Sequence, residues 1–127
     1  MAYKVLIVDD SKLARMAVAK TLNSLRPEWE RVEATNAEEA LALARQSSFD
    51  IALLDFNMPG RDGLSLAADL LGIKAGMPVA VISANLQHEI VTRAREIGAH
   101  FLPKPLTEDA MRAFISEAEQ RMTGPSQ

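Results

Sequence analysis

The chain has 127 residues, 17 acidic and 14 basic side chains, a net charge of −3, 48% hydrophobic residues and no cysteine. That length fits one compact domain able to bury roughly two-thirds of its unfolded surface, so a core needs neither disulfide nor structural metal. The missing cysteines exclude thiol catalysis and Cys-type zinc sites, the mild acidity argues against a nucleic-acid surface, and no apolar run approaches the ~20 residues of a membrane span.

The N-terminal stretch MAYKVLIVDD reaches two aspartates after four apolar residues, which is not a secretory leader. A cytoplasmic domain is expected. Val5 to Val8 forms the first apolar run, continuous rather than alternating, as in a strand buried on both faces. Ser11 to Leu25 follows with Ala14, Ala17, Val18, Leu22 and Leu25 at helical spacing, closed by Pro27. Trp29, the only tryptophan, is expected to pack ahead of the second strand. That strand, Val32 to Thr35, alternates and reads as nearer an edge. Asn36 with Glu39 three residues on resembles a capping box for a helix through Arg45.

Ile51 to Leu54 is the third strand, again continuous. Gly63 precedes a helix to about Ile73 and is expected to serve backbone conformation; a turn with Gly76 and Pro78 ends that helix. Val79 to Ile82 is the fourth strand. Leu86, Ile90, Ala94 and Ile97 mark the next helix, stopped by Gly98. Ala99 to Leu102 is a short fifth strand, and Thr107 caps a last helix with Met111, Phe114, Ile115, Ala118 and Met122 on one stripe. The domain is expected over 1–122, with 123–127 a short tail and no output domain.

The order is β-α five times over, an α/β chain with one parallel sheet covered on both faces. Ligands in such sheets sit beyond the carboxyl ends of the strands. Those ends carry Asp9 and Asp10, Asp55, Ser83, and Lys104 followed by Pro105. Carboxylates crowded to ~4 Å repel by ~4 kcal/mol per pair at an effective dielectric near 20. A hard divalent cation offsets this, and Mg2+ needs only one or two carboxylates with waters and a phosphate. Lys104 complements either Asp55 or a phosphoryl oxygen.

Four stretches carry a resemblance: LIVDDS (6–11), LLDFNMPGRDG (53–63), VISA (81–84) and FLPKP (101–105). In this order, each at a strand end, they resemble the receiver domain of the bacterial response regulators of two-component signalling. The resemblance spans Lys4 to about Met122. It implies a flavodoxin-like fold with strand order 2-1-3-4-5, for which the chemotaxis receiver is itself a standard example.

It also implies roles. Asp55 would accept a phosphoryl group from a phosphohistidine. Asp9, Asp10, Asp55 and the backbone carbonyl of Asn57 would hold Mg2+. Ser83 and Lys104 would contact the phosphoryl oxygens, and Pro105 would follow a cis peptide. Ser83 stands where the family most often has Thr, and Phe101 where many members have Tyr. Phe101 would turn inward as Ser83 is drawn to the phosphoryl group, changing the face of helix four, strand five and helix five. Asn57 and Asn85 would tune the lifetime of the phosphorylated form. The implied partners are a sensor histidine kinase or histidine phosphotransfer protein and a downstream protein target, with no nucleic acid and no membrane. A histidine-bearing four-helix bundle would dock at the exposed start of helix one, around Ser11, Ala14 and Arg15, beside the loop after Pro105.

Other readings fit less well. A dehalogenase-type phosphatase needs D-x-D after its first strand, where VDDSK stands. A flavodoxin needs a Ser/Thr-rich phosphate loop, where DDSKLAR is acidic. The intact set Asp9, Asp10, Asp55, Ser83 and Lys104 excludes a non-phosphorylatable binding domain. HEIVT lacks the second His of a zinc-protease motif, and no glycine-rich nucleotide loop is present. His88 and His100 read as ordinary surface or partly buried residues.

Overall fold

The computed structural model describes residues 3–85 and 87–123. Five strands, β1 (Lys4–Val8), β2 (Glu30–Ala34), β3 (Ile51–Asp55), β4 (Val79–Ser83) and β5 (His100–Pro103), alternate with five helices. These are α1 (Lys12–Leu25), α2 (Ala37–Gln46), α3 (Gly63–Ile73), α4 (His88–Glu96) and α5 (Glu108–Thr123). The strands form one sheet in the order β2-β1-β3-β4-β5, every pair parallel. The fold is the α/β, flavodoxin-like architecture expected, and the two weaker strands stand at the edges.

The continuous runs are explained by packing on both faces. Val5, Ile7, Ile51, Leu53, Ala80 and Ile82 join Val18 and Leu22 of α1 and Met111, Phe114 and Ile115 of α5 in one core layer. Their neighbours Leu6, Val8, Ala52, Leu54, Val79 and Val81 face Leu41 of α2, Leu66 and Leu70 of α3 and Ile90 of α4 in the other. Successive strand residues point to opposite faces, so β1, β3 and β4 are apolar on both faces along their length and admit a polar residue only at an end: Lys4, Asp55 and Ser83. The edge strand β2 can hold Glu30, Arg31 and Glu33 because its outer side meets solvent.

Helix starts follow local chemistry. Ser11 Oγ accepts from the Ala14 N–H at 3.2 Å and Thr107 Oγ1 from the Ala110 N–H at 3.1 Å. Asn36 Oδ1 accepts from the Glu39 N–H at 2.8 Å, while Glu39 Oε1 reaches back to the Thr35 N–H at 2.6 Å. The Thr35 N–H, and after it the Thr35 hydroxyl at 3.0 Å, hold the Glu39 carboxyl below its ordinary value. Replacing Asn36 with Ala is expected to cost about 1 kcal/mol, read as a lower urea midpoint with an unchanged slope. Gly98 ends α4 with φ +86°, the left-handed turn a side chain resists.

Three expectations change. Strands extend one or two residues beyond their apolar runs, because backbone pairing continues past the last apolar side chain, while β2 stops before Thr35 and β5 starts after Ala99. Ala17 of the predicted stripe of α1 is exposed, and that face also shows Leu13 (78% exposed) and Met16 (53%). Gly63, expected to precede α3, is its first residue, and Asp62 caps it: the Asp62 side chain accepts from the Ser65 N–H at 2.8 Å. Leu86, placed in the α4 stripe, and 124–127 of the expected tail lie outside the described residues. Trp29 is buried as expected, edge-on to Tyr3 with ring centroids 5.3 Å apart, under the Arg26 guanidinium. Arg26 also grips Glu119 of α5 at 2.7 Å, which holds that carboxyl below its usual range and clamps α1 to α5.

Candidate functional site

β1 lies between β2 and β3, yet the connections leaving β1 and β3 go to opposite faces, α1 to one and α3 to the other. This opens a crevice at the carboxyl edge of the sheet. Into it the chain brings Asp9 and Asp10 from the end of β1, Asp55 from the end of β3, Ser83 from the end of β4 and Lys104 from just after β5. Carboxylate oxygens of Asp9, Asp10 and Asp55 lie within 4.8 Å of one another. Asp9 and Asp55 are buried and Asp10 is exposed.

Each side chain is held by its element. The Asp9 N–H donates to the Ala34 carbonyl of β2 at 3.2 Å, and Asp9 Oδ1 accepts from the Ser11 N–H at 2.9 Å. Burial raises the Asp9 carboxyl above its ordinary value; the charges of Asp55 and Asp10 add to this, against the Ser11 N–H and Lys104. Lys104 Nζ stands 2.6 Å from Asp55 Oδ1. This ion pair is the contact that holds the buried oxygen, which has no further hydrogen-bond donor among the described residues. The Lys104–Pro105 peptide is cis, as expected, and the Lys104 N–H donates to the Ser83 carbonyl at 3.0 Å.

Ser83 is fully buried, and its Oγ accepts from the Asn85 N–H at 2.9 Å. Asn57 is exposed two residues past Asp55, and Asn85 is half-buried and accepts from the Gln87 N–H at 3.0 Å. Phe101 is partly buried against the core layer under α3 and α4. Thus the structure brings Asp9, Asp10, Asp55, Ser83 and Lys104 to one edge. His88 is exposed and His100 is half-buried.

Two features escaped the sequence reading. Gly63 is buried, and a Cβ there would lie 2.5 Å from the Asp55 carbonyl oxygen and 3.0 Å from Phe56 Cα. Its φ is not in the left-handed region, so space rather than conformation requires glycine. Arg15, placed on the exposed start of α1, instead has a side chain only 12% exposed.

The donor set suits a hard divalent cation: oxygen ligands only, mutually repelling, with one buried oxygen lacking a further hydrogen-bond donor among the described residues. Between the site and α1 runs an apolar groove of about 520 Å³, walled by Ala14, Ala17, Val18 and Leu106 and reaching Asp9 and Lys104. No helix among the described residues is long and apolar enough to cross a membrane.

A doubly wound sheet with an acidic carboxyl edge and a lysine paired to its buried aspartate defines an α/β module built to hold a cation or a phosphoryl group at that edge. Residues 5–116 match the family model of the response regulator receiver domain, and the chain belongs to that family. The positive alginate biosynthesis regulatory protein of Pseudomonas aeruginosa is 38% identical over 120 residues, 91% of this chain and 47% of that protein. The sensor histidine kinase AruS of the same organism is 38% identical over 122 residues, 91% of this chain and 12% of that protein. The structure of the chemotaxis protein CheY4 of Vibrio cholerae superposes with a TM-score of 0.82 at 26% identity, covering 93% of this chain and 99% of that one. The chain spans about half the length of the regulatory relatives it matches, 47% to 57%.

Proposed function

We propose that Asp55 is the phosphoryl acceptor of a response regulator and that its modification changes how the domain binds a partner protein. The observation that carries this is the pairing of buried Asp55 with Lys104 at 2.6 Å, beside the carboxylates of Asp9 and Asp10. A carboxylate oxygen of Asp55 forms the new P–O bond as the P–N bond of a phosphohistidine breaks, its electron pair leaving on the imidazole nitrogen. Charge spreads over three phosphoryl oxygens in that transfer, so fixed positive charge and donors do most of the work. Lys104 supplies an ammonium there. The Ser83 hydroxyl, whose donor side has no partner among the described residues, supplies a hydrogen bond.

Asp9, Asp10 and Asp55, with the Asn57 carbonyl, are the residues to hold Mg2+. When bound, Mg2+ neutralises charge on carboxylates and phosphoryl oxygens alike. The apolar groove along α1, which reaches Asp9 and Lys104, supports docking of the histidine-bearing helices of a kinase or phosphotransfer protein. Asn57 and Asn85 flank the approach to Asp55, and as amides they cannot act as general bases. Phe101 and Ser83 couple the acceptor to the face of α4, β5 and α5, through which a protein target reads the state by population shift. The domain works in this reading as a cytoplasmic switch or relay, catalysing only its own phosphorylation and dephosphorylation.

Acetyl phosphate with Mg2+ is expected to add one phosphoryl group, seen by intact mass spectrometry. Asp55→Asn and omission of Mg2+ should each abolish the gain. A gain that persists in Asp55→Asn rejects the assignment.

A further inference from the structure

We propose that Arg15 is a positioning residue for the metal-holding turn: its guanidinium ties the Asp9 backbone to β2 and so fixes where the Asp9 carboxylate stands. This inference rests on the reading of Asp9 and Asp10 as metal holders given above. Arg15 lies one turn into α1, its N–H bonded to the Ser11 carbonyl at 3.0 Å. From there one terminal nitrogen, Nη1, donates to the Asp9 carbonyl at 2.7 Å and Nε donates to Glu33 Oε1 at 2.8 Å. The side chain is 12% exposed and Glu33 43%, so the bridge is shielded on the Arg15 side.

The bonds close a circuit around one peptide. The Asp9 N–H is held by the Ala34 carbonyl, next to Glu33 on β2. Its carbonyl is held by Arg15, and its side-chain Oδ1 by the Ser11 N–H. Three carboxylates within 4.8 Å push this turn apart whenever no cation balances them. A planar guanidinium with donors in a rigid fork resists that push in two directions at once, which a flexible ammonium cannot. Asp9 is not Arg15's charge partner: the guanidinium meets its carbonyl, while its charge is answered by Glu33. The effect therefore passes through geometry.

Calorimetric titration with Mg2+ tests this, with melting in EDTA recorded alongside. Arg15→Ala is expected to weaken Mg2+ binding by about tenfold, the scale seen when an outer partner of a metal ligand is removed. Arg15→Lys keeps the charge without the fork and should track the alanine variant; wild-type affinity in the lysine variant would assign the effect to charge and overturn the proposal. In Arg15→Ala/Glu33→Ala the two losses should fall short of additive, because both break one bridge. Unchanged Mg2+ affinity in Arg15→Ala with a lower melting point in EDTA would leave only a structural role and also overturn it. Should Arg15→Ala fail to fold, Glu33→Ala carries the test, with a smaller loss of affinity expected and none overturning it. A wild-type protein that gives no binding heat with Mg2+ rejects instead the site reading on which the inference stands.

Discussion

Gly63→Ala is expected to destabilise the domain by about 3 kcal/mol, lowering the melting temperature by roughly 10 °C. The methyl would meet the Asp55 carbonyl oxygen at 2.5 Å and Phe56 Cα at 3.0 Å. Both are backbone atoms, so no side-chain rotation relieves the clash. The Gly63 N–H donates to the Phe56 carbonyl at 2.9 Å, which pins the first residue of α3 against the end of β3. Accommodation must therefore move either α3 or the peptide that carries Asp55. Phosphoryl gain from acetyl phosphate should slow together with the loss of stability. Gly72 in the same helix is the control: a Cβ there meets nothing within 4 Å, and alanine should stabilise by up to about 1 kcal/mol. Thermal melting of the two variants checks both signs. A Gly63→Ala protein that melts with the wild type would show that the approach of α3 to β3 is looser than described.

Asp9→Asn is expected to raise stability in EDTA at neutral pH while weakening Mg2+ binding by an order of magnitude or more. Unit charges at the separation of this cluster repel by roughly 3 kcal/mol per pair at an effective dielectric near 20, and Lys104 cancels only part. A gain on the order of 1 kcal/mol is the net expectation. The pH dependence follows from the raised Asp9 carboxyl, whose first cause is burial. A carboxyl that binds its proton more tightly in the folded than in the unfolded state contributes stability when protonated. That contribution is full below the ordinary carboxylate value and is lost as pH rises through the raised folded value. The advantage of Asp9→Asn in EDTA should therefore shrink toward acid pH, and saturating Mg2+ should reverse the order of the two proteins. Urea titrations at several pH values, with EDTA and with Mg2+, measure all three effects. Equal stability in EDTA at every pH would mean that the cluster carries no strain.

Much of this was legible because each signal was physically redundant. Val5 to Val8, Ile51 to Leu54 and Val79 to Ile82 are apolar on both faces, which only the centre of a covered sheet demands. Asn36, Thr107 and Gly98 mark helix ends because each bond or φ there is local. Asp9, Asp55, Ser83 and Lys104 could be placed on one edge since a parallel sheet sends every strand's carboxyl end the same way. What failed to show was relational. Nothing in the sequence around Gly63 says that α3 touches the Asp55 peptide, and a glycine ahead of a helix reads as a conformational choice. Arg15 looks like any surface residue of an amphipathic helix until the Asp9 carbonyl and Glu33 are seen to converge on it. Ala17 matched the helical period, yet α1 is turned so that the groove, rather than the core, receives that face.

The same parallel topology has a temporal consequence. Asp9 and Asp55 sit on adjacent strands joined through more than forty residues of intervening chain, and Lys104 arrives only with the last strand. No contiguous fragment shorter than residues 9–104 contains the site, and such non-local pairing is slow relative to helix formation. A chain in which the fifth strand is unpaired thus carries the Asp55 carboxylate without the Lys104 ammonium beside it. If Asp55 is the acceptor proposed above, competence to receive a phosphoryl group requires the whole sheet, the fifth strand included.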